Sequence, residues 1–126
     1  MAIFALALNL KDDRKLVAEY LDYHREVWPE VLDALRATGV EDVKIYLSGR
    51  HLFMVMVAPD GFDPEQSLVS YRTNPVAERW DTLMKTYQEP VPEARAGQWW
   101  MPMAPVFELS AARRSAAAQP GAPRPS

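Results

Sequence analysis

Two segments of this chain are apolar at nearly every position, and this feature constrains the fold more than any other. Residues 2–9 read AIFALALN, and residues 52–57 read LFMVMV. Successive side chains of a β-strand point to opposite faces, so each segment predicts a strand with two apolar faces. A sheet built from such strands has to be covered on both sides.

The region after the first strand predicts two consecutive helices. The stretch KDDRK brings Asp12 or Asp13 to a helix amino terminus, where the helix dipole favours an acid. Pro29 removes a backbone donor and clashes with the preceding turn, so one unbroken helix is not expected. Helices are therefore predicted over 12–24 and 28–38. The apolar positions at helical spacing are Leu16, Tyr20, Val27, Val31 and Leu35, and Gly39 marks the stop.

The middle of the chain predicts a hairpin and then another helix. Ser48 and Gly49 separate two β-rich runs, which is a hairpin signal. Residues 64–71 allow about one helical turn. The stretch PVAERWDTLMKTYQ then predicts a helix that begins at Pro75 and ends before Pro90.

The closing stretch GQWWMPMAPVFEL predicts an irregular strand at the sheet edge, because its prolines cannot donate to a ladder. If Trp99 and Trp100 are consecutive strand residues, they point to opposite faces. The resulting order β-α-ββ-α-β is typical of an α+β, ferredoxin-like sandwich. Its helices cover one face of the sheet, and the apolar second face predicts a homodimer with an isologous, face-to-face interface.

Charge is unevenly distributed along the chain. All 17 acidic residues lie within residues 1–110, together with 11 of the 14 Lys and Arg, so this predicted domain is acidic. An acidic domain repels phosphate backbones, and nucleic acid is not an expected partner. Residues 111–126 are rich in Ala, Pro, Gly and Ser, and they predict a disordered tail.

Several other classes lack support in the sequence. The apolar amino terminus is too short for a membrane span, so no membrane partner is expected. The absence of cysteine excludes disulfides and thiolate metal sites, and it favours a reducing, cytoplasmic location. The two histidines form no metal signature and no nucleotide-binding motif is found, so neither a metal nor a cofactor is predicted.

His24 is the first candidate for chemistry. In a helix it lies one turn after Tyr20, and Trp28 continues the row or turns inward at the predicted break. Two interpretations remain open: a half-buried histidine satisfied by Tyr20 or a backbone carbonyl, or an imidazole in a sugar-binding wall, where aromatic rings cover C–H faces. His51 follows the hairpin turn, and an exposed loop histidine is expected there.

A second candidate stretch is AERWDTLM, in which Trp80 precedes Asp81. Plain core packing is the simpler interpretation of a tryptophan on an amphipathic helix, and a ligand contact is the alternative.

The segments EYLDYHREVWPEVLDAL, YLSGRHLFMVMV, AERWDTLM and VFEL together resemble the L-rhamnose mutarotase family over residues 2–109. The resemblance implies a dimeric α/β-barrel of ferredoxin-like subunits. It also implies interconversion of the α and β anomers of a 6-deoxy-L-sugar without a cofactor. By resemblance His24 takes the catalytic acid position and Tyr20 contacts the monosaccharide. Trp80 matches the first residue of a Trp-Trp pair.

The chain departs from the rhamnose enzymes at two pocket positions. Val43 stands where they carry a tyrosine, and Asp81 stands where they carry a second tryptophan; extra sequence surrounds APDGFDPEQ. A carboxylate can accept a hydrogen bond from a hydroxyl that a tryptophan would not bind. L-fucose is therefore the favoured substrate, and L-rhamnose is the alternative. The candidate substrate-binding residues are Tyr20, Trp28, Val43, Tyr46, Trp80 and Asp81.

Mutarotation requires a proton on the ring oxygen and removal of one from the anomeric hydroxyl, which a group of near-neutral pKa can perform. We expect His24 to be the acid, with Tyr20 orienting or sharing the proton, and Asp81, Tyr46 or water as the base. A helix carboxyl terminus beside His24 would favour its protonated form. Two other classes remain open: a dimeric-barrel monooxygenase acting on a small molecule, and a dimer that binds a ligand without catalysis.

Overall fold

The first strand lies inside an antiparallel sheet of five strands. In the computed structural model, which describes residues 1–111, β1 (Ala2–Leu10) pairs with β3 (His51–Ala58), and β3 pairs with β2 (Asp42–Ser48). The other edge of β1 is shared by β4 (Gln88–Glu89) and β5 (Met101–Met103). The sheet order is β2-β3-β1-β4, with β5 also on β1. The chain thus brings its amino-terminal strand to the centre, as the two apolar faces of that strand require.

Two helices follow β1, and local signals define their ends. Helix α1 (Arg14–Arg25) begins after Asp13, whose carboxylate accepts hydrogen bonds from the amides of Lys15 and Leu16. It ends before Pro29, which occupies the first turn of α2 (Pro29–Ala37). Gly39 follows that helix with φ +93°, a conformation that favours glycine. The predicted pair of helices and the break between them are confirmed.

Three helices lie between the hairpin and β4. The first two, α3 (Pro64–Ser67) and α4 (Val69–Arg72), are single turns. The third, α5 (Pro75–Lys85), begins after Asn74, whose side chain accepts hydrogen bonds from the amides of Val76 and Ala77. A 3₁₀ turn at Leu109–Ala111 follows β5.

All the longer helices pack on one face of the sheet, which we call the covered face. It consists of even-numbered residues of β1 and β3 and odd-numbered residues of β2, as the pairs Leu6–Met54 and Ile45–Met54 indicate. The hydrophobic core lies between this face and the helices. Its buried members are Leu8, Leu10, Tyr20, Val31, Leu52, Trp80, Met84 and Tyr87.

The opposite face, which we call the open face, carries no second layer within residues 1–111. Its apolar side chains are partly solvent-exposed: Ile3 is 62% exposed, Tyr46 54% and Met103 47%. This arrangement of helices on one face of a β2-β3-β1-β4 sheet confirms the ferredoxin-like α+β prediction.

The structure differs from the predictions at the carboxyl-terminal strands. The two-residue strand β4 was not predicted, and β5 is shorter than expected. Trp99 and Trp100 precede β5, so the rule of opposite strand faces does not apply to them, and both pack against the core. Except for Ala111, the predicted tail lies outside the described residues. Within residues 1–111 no helix is both long and apolar enough to cross a membrane.

Candidate active site

Helix α1 holds His24 in a defined tautomer. The ring nitrogen Nδ1 lies 2.9 Å from the carbonyl oxygen of Tyr20, one turn earlier. A carbonyl oxygen only accepts hydrogen bonds, so Nδ1 is the donor and carries the proton. In the neutral ring the lone pair is therefore on Nε2, which is left available to a ligand. The Tyr20 ring lies against the imidazole, with 4.3 Å between centroids.

Burial changes the protonation expected for His24. Desolvation lowers the pKa of this imidazole below its ordinary value, and the hydrogen bond to the Tyr20 carbonyl opposes the shift only in part. The helix terminus alone was expected to favour the protonated ring, whereas burial shifts the pKa of His24 in the opposite direction. The neutral form, with its lone pair on Nε2, prevails at neutral pH.

Tyr20 is held by a buried glutamine from β4. The amide Nε2 of Gln88 donates to the Tyr20 hydroxyl at 3.4 Å, and both residues are buried. The Tyr20 oxygen accepts this bond, so its own proton remains available to another acceptor. Burial raises the pKa of Tyr20 above its usual value, so the hydroxyl stays protonated. Tyr20 is consequently a hydrogen-bond donor whose ring lies against the imidazole of His24.

Helix α5 contributes an aromatic ring and a carboxylate at adjacent positions. Trp80 is 5% exposed, and its ring centroid lies 5.6 Å from that of His24 and 5.1 Å from that of Trp28. The carboxylate of Asp81 accepts a hydrogen bond of 3.1 Å from the Tyr71 hydroxyl. Burial raises the pKa of Asp81, while this hydrogen bond and the charge of Lys85 oppose the rise.

These groups line one cavity between the helices and the covered face. Its volume of about 750 Å³ lies within the usual range of small-molecule sites, about 300–1,000 Å³. The polar side chains on its wall are Tyr20, His24, Tyr71, Arg72, Asp81 and Gln88. The remaining wall is apolar, including Val43, Ile45, Met54 and Met56 from the sheet, and Trp80 and Trp100. Convergent polar groups on an apolar wall are typical of a site that orients a small ligand.

The structure brings most of the predicted site residues together. Tyr20, His24, Val43, Trp80 and Asp81 all line the cavity. Trp28 packs edge-on behind Trp80 and lines a neighbouring surface depression with Glu19, Asp22, Tyr23, Glu26 and Tyr87.

Tyr46 was predicted to be a site residue, but it does not line the cavity. It lies on the open face, where its ring stacks on Phe53 at 6.3 Å and is 54% exposed. The strand pleat sends Tyr46 to the side opposite Ile45, so it is separated from the cavity by the sheet itself.

Four polar or aromatic residues of the cavity wall were not among the predicted site residues. Gln88 belongs to a two-residue strand, which is too short for a periodic pattern, and its burial depends on pairing with Leu10. Tyr71 and Arg72 belong to the single turn α4 in a stretch rich in loop signals. Trp100 was considered only for the strand face to which it points. No local pattern marked Gln88 as a buried residue.

Comparisons with known proteins identify the family of this chain. A family model described as L-rhamnose mutarotase matches residues 3–109. A UPF0734 protein of Dictyostelium discoideum is 42% identical over 110 residues, covering 84% of this chain and 88% of the relative. An L-fucose mutarotase of Xanthomonas campestris is 35% identical over 107 residues, covering 83% and 86%. An L-rhamnose mutarotase of a Jannaschia species is 31% identical over 99 residues, covering 74% and 86%.

The fold is likewise similar to a solved one. The crystal structure of an L-rhamnose mutarotase from Formosa agariphila aligns with a TM-score of 0.64, at 19% identity, over 86% of this chain and 99% of that protein. The family model spans helices α1 to α5, all of the sheet except Ala2, and every residue of the cavity wall. The chain therefore belongs to the L-rhamnose mutarotase family, whose named members are isomerases.

Proposed function

We propose that this protein is a mutarotase that interconverts the α and β anomers of a 6-deoxy-L-hexose, with L-fucose as the favoured sugar. The observation that carries the proposal is the state of His24: its Nδ1 donates to a backbone carbonyl, which leaves the lone pair on Nε2, and the residue lines the cavity. A neutral imidazole in this tautomer can take a proton from a hydroxyl and return it.

Ring opening divides into two proton transfers that His24 and Tyr20 can perform together. Nε2 of neutral His24 removes the proton from the anomeric hydroxyl, while the Tyr20 hydroxyl donates to the ring oxygen. The Tyr20 proton is free for this because the hydroxyl oxygen accepts from Gln88. After rotation about the C1–C2 bond, both transfers reverse and the ring closes on the other face. Positioned acid–base groups of this kind contribute about 10²–10⁴-fold in rate.

This assignment reverses the role first expected for His24. The catalytic residue is unchanged, but the lowered pKa makes it a base in its resting state rather than an acid. Asp81 then serves in binding rather than as the base.

The apolar part of the cavity supports a 6-deoxy sugar. Met54, Met56 and Ile45 form a wall that offers no hydrogen bond to an exocyclic hydroxyl, whereas a methyl group at C5 packs there favourably. The ring of Trp80 can cover a C–H face of the sugar. A hexose with a 6-hydroxyl would leave that group unpaired against these side chains.

Asp81 supports L-fucose over L-rhamnose. Its carboxylate is an acceptor inside the cavity, and it distinguishes sugars by the direction of a ring hydroxyl. L-fucose and L-rhamnose differ in hydroxyl configuration, and the relative named an L-fucose mutarotase is 35% identical to this chain. L-rhamnose remains the alternative substrate, since other relatives carry that name.

We also propose a homodimer in which the open faces of two copies pack together. Ile3, Phe53 and Met103 are exposed apolar side chains on that face, and within residues 1–111 no layer covers them. The segment after β5 also exposes Val106, Phe107 and Leu109, which are 100%, 71% and 79% exposed. Exposed apolar side chains in such number are typical of an interface, and one self-complementary face gives a closed two-fold dimer. A cytoplasmic location stays a prediction.

The test is saturation-transfer NMR on equilibrated anomers of L-fucose and of L-rhamnose, each with and without protein. We expect exchange above the buffer rate for both, and faster exchange per enzyme for L-fucose. Faster exchange of L-rhamnose would reverse the substrate order. Exchange of neither sugar, with line broadening alone, would leave a binding protein in place of the enzyme.

A further inference from the structure

Asp81 has one carboxylate oxygen engaged and one available. Oδ1 accepts the hydrogen bond from the Tyr71 hydroxyl at 3.1 Å. Within the described part of the chain Oδ2 takes no hydrogen bond. Both residues are partly buried on the cavity wall. A donor fixed on one oxygen of a carboxylate also fixes the direction in which the other oxygen accepts.

We propose that Tyr71 is a positioning residue that holds Asp81 so that its free oxygen accepts a hydrogen bond from one ring hydroxyl of the sugar, and that this contact selects the configuration of that hydroxyl. The inference rests on the proposed function and deepens it, because it assigns a specificity device to the same cavity.

The short helix that carries Tyr71 is held rigidly enough for this role. The guanidinium of Arg72 donates to the carbonyl oxygen of Pro64 at 3.2 Å and to that of Glu65. The carbonyl of Tyr71 itself accepts from the amide of Asn74 at 3.1 Å. A single helical turn has little stability of its own, so these contacts with its neighbours hold it in place. These contacts join the turn that carries Tyr71 to the preceding helix α3 and to Asn74, which follows it.

The pair presents only acceptors to the cavity. Because the Tyr71 proton is donated to Asp81, the Tyr71 oxygen offers lone pairs, as does Oδ2 of Asp81. A sugar hydroxyl is a donor and satisfies such a wall. A sugar whose corresponding hydroxyl points elsewhere leaves a partly buried carboxylate oxygen unpaired, and that cost is the basis of discrimination.

The surroundings of Asp81 oppose the effect of burial on its pKa. Tyr71 faces it from α4, Lys85 from the next turn of α5, and Tyr20 from α1. The Lys85 ammonium lies 5.5 Å from the ring centroid of Trp99, which confines it near this end of α5. Burial raises the pKa of Asp81, and the Tyr71 hydrogen bond and the Lys85 charge restrain that rise. Removing the Tyr71 hydroxyl therefore both frees the carboxylate and favours its protonation.

The experiment compares Tyr71→Phe, Asp81→Asn and the double variant with the wild type. Tyr46→Phe is the matched control, because it removes the same hydroxyl from the open face. Anomer exchange of L-fucose is followed by NMR over a range of sugar concentrations. For Tyr71→Phe we expect KM to rise about tenfold with kcat within about twofold, since a hydrogen bond to a charged group is weakened. In the Asp81→Asn background the same change should have less than a twofold effect.

A second readout is independent of any sugar. The carboxyl carbon of Asp81, followed by NMR during a pH titration, should report a higher pKa in Tyr71→Phe than in wild type and no change in Tyr46→Phe. An unchanged Asp81 pKa, an unchanged KM, or additive losses in the double variant would overturn the positioning role.

Failure of the substrate assignment is distinguishable from failure of this inference. If wild-type protein exchanges L-rhamnose and not L-fucose, the proposed sugar is wrong, and the same variants are then measured on L-rhamnose. A tenfold rise in KM there that disappears in the Asp81→Asn background upholds the role of Tyr71. Equal KM values overturn it.

Discussion

The two histidines lie on opposite sides of the sheet, His24 on helix α1 above the covered face and His51 on the open face, and only one of them belongs to a candidate site. On the covered side, Nδ1 of His24 bonds to a backbone carbonyl within its own helix, at 2.9 Å. On the open face, Nδ1 of His51 lies 2.7 Å from the side-chain oxygen of Asn9. Both rings are satisfied at one nitrogen. Only His24 lines a cavity that also holds other polar groups.

The difference teaches that a hydrogen-bonded histidine is not by itself a functional signal. His24 differs from His51 in its neighbours, because Tyr20, Asp81 and Trp80 line the same cavity wall. His51 stands among exposed apolar side chains such as Phe53, on a face that offers area for association. The same alternating strands thus provide one face for chemistry and one for assembly.

The largest expected effect comes from exchanging the two histidines for asparagine, one at a time. His24→Asn should lower the enzyme-dependent exchange rate by at least about 100-fold, because the proton-transfer group is lost. His51→Asn, the matched change on the open face, should keep exchange within about twofold. NMR exchange rates measure both, and circular dichroism checks that each variant folds. Wild-type activity in His24→Asn would remove the imidazole from the mechanism.

The second prediction concerns the open face. Phe53→Asp places a charge in the proposed dimer interface, and we expect the dissociation constant of the dimer to rise at least about tenfold, because a charge would be buried without a partner. Val69→Asp is the control, since Val69 is also exposed and apolar but lies on α4. Sedimentation equilibrium measures both. A wild-type protein that is monomeric at micromolar concentration would refute the proposed assembly.

Local signals explain why so much of the fold could be predicted. Pro29 breaks the helix and Asp13 caps it, and each acts within a few residues along the chain. The alternating apolar strands fixed which residues share a face. The same alternation places Tyr46 on the side of the sheet opposite Ile45, so the prediction of Tyr46 as a site residue conflicted with the strand pattern.

The unpredicted features depend on contacts between distant parts of the chain. Gln88 becomes a partner of Tyr20 because β4 pairs with the end of β1. A strand of two residues is too short to show this pairing as a sequence pattern. Tyr71 meets Asp81 only through the packing of α4 against α5. The protonation of His24 likewise depends on burial by residues far away in sequence, which lowers its pKa.

The third prediction concerns how kcat/KM depends on pH through the protonation of His24. If neutral His24 is the base, kcat/KM stays constant above pH 6.5 and falls about tenfold per unit below the lowered pKa, because protonation removes the lone pair of Nε2. If protonated His24 is the acid instead, kcat/KM rises as the pH falls towards that pKa. Exchange rates in buffers from pH 4.5 to 8, corrected for the uncatalysed rate in each buffer, decide between the two roles.

The smallest expected effect is on the pH dependence of the free energy of unfolding. It tests whether His24 is less hydrated in the folded protein than in the unfolded chain. The pKa of His24 is lower in the folded protein than its ordinary value of 6.5, so just below pH 6.5 the unfolded chain binds more protons. The free energy of unfolding should therefore decline as the pH falls from 6.5 to the folded pKa, and then this contribution levels off. In His24→Asn the decline should be shallower over the same window. Urea unfolding at closely spaced pH values measures the two slopes. Equal slopes for wild type and His24→Asn would mean that the imidazole is as well hydrated in the fold as in the unfolded chain, and the case for a resting neutral base would lose its physical cause.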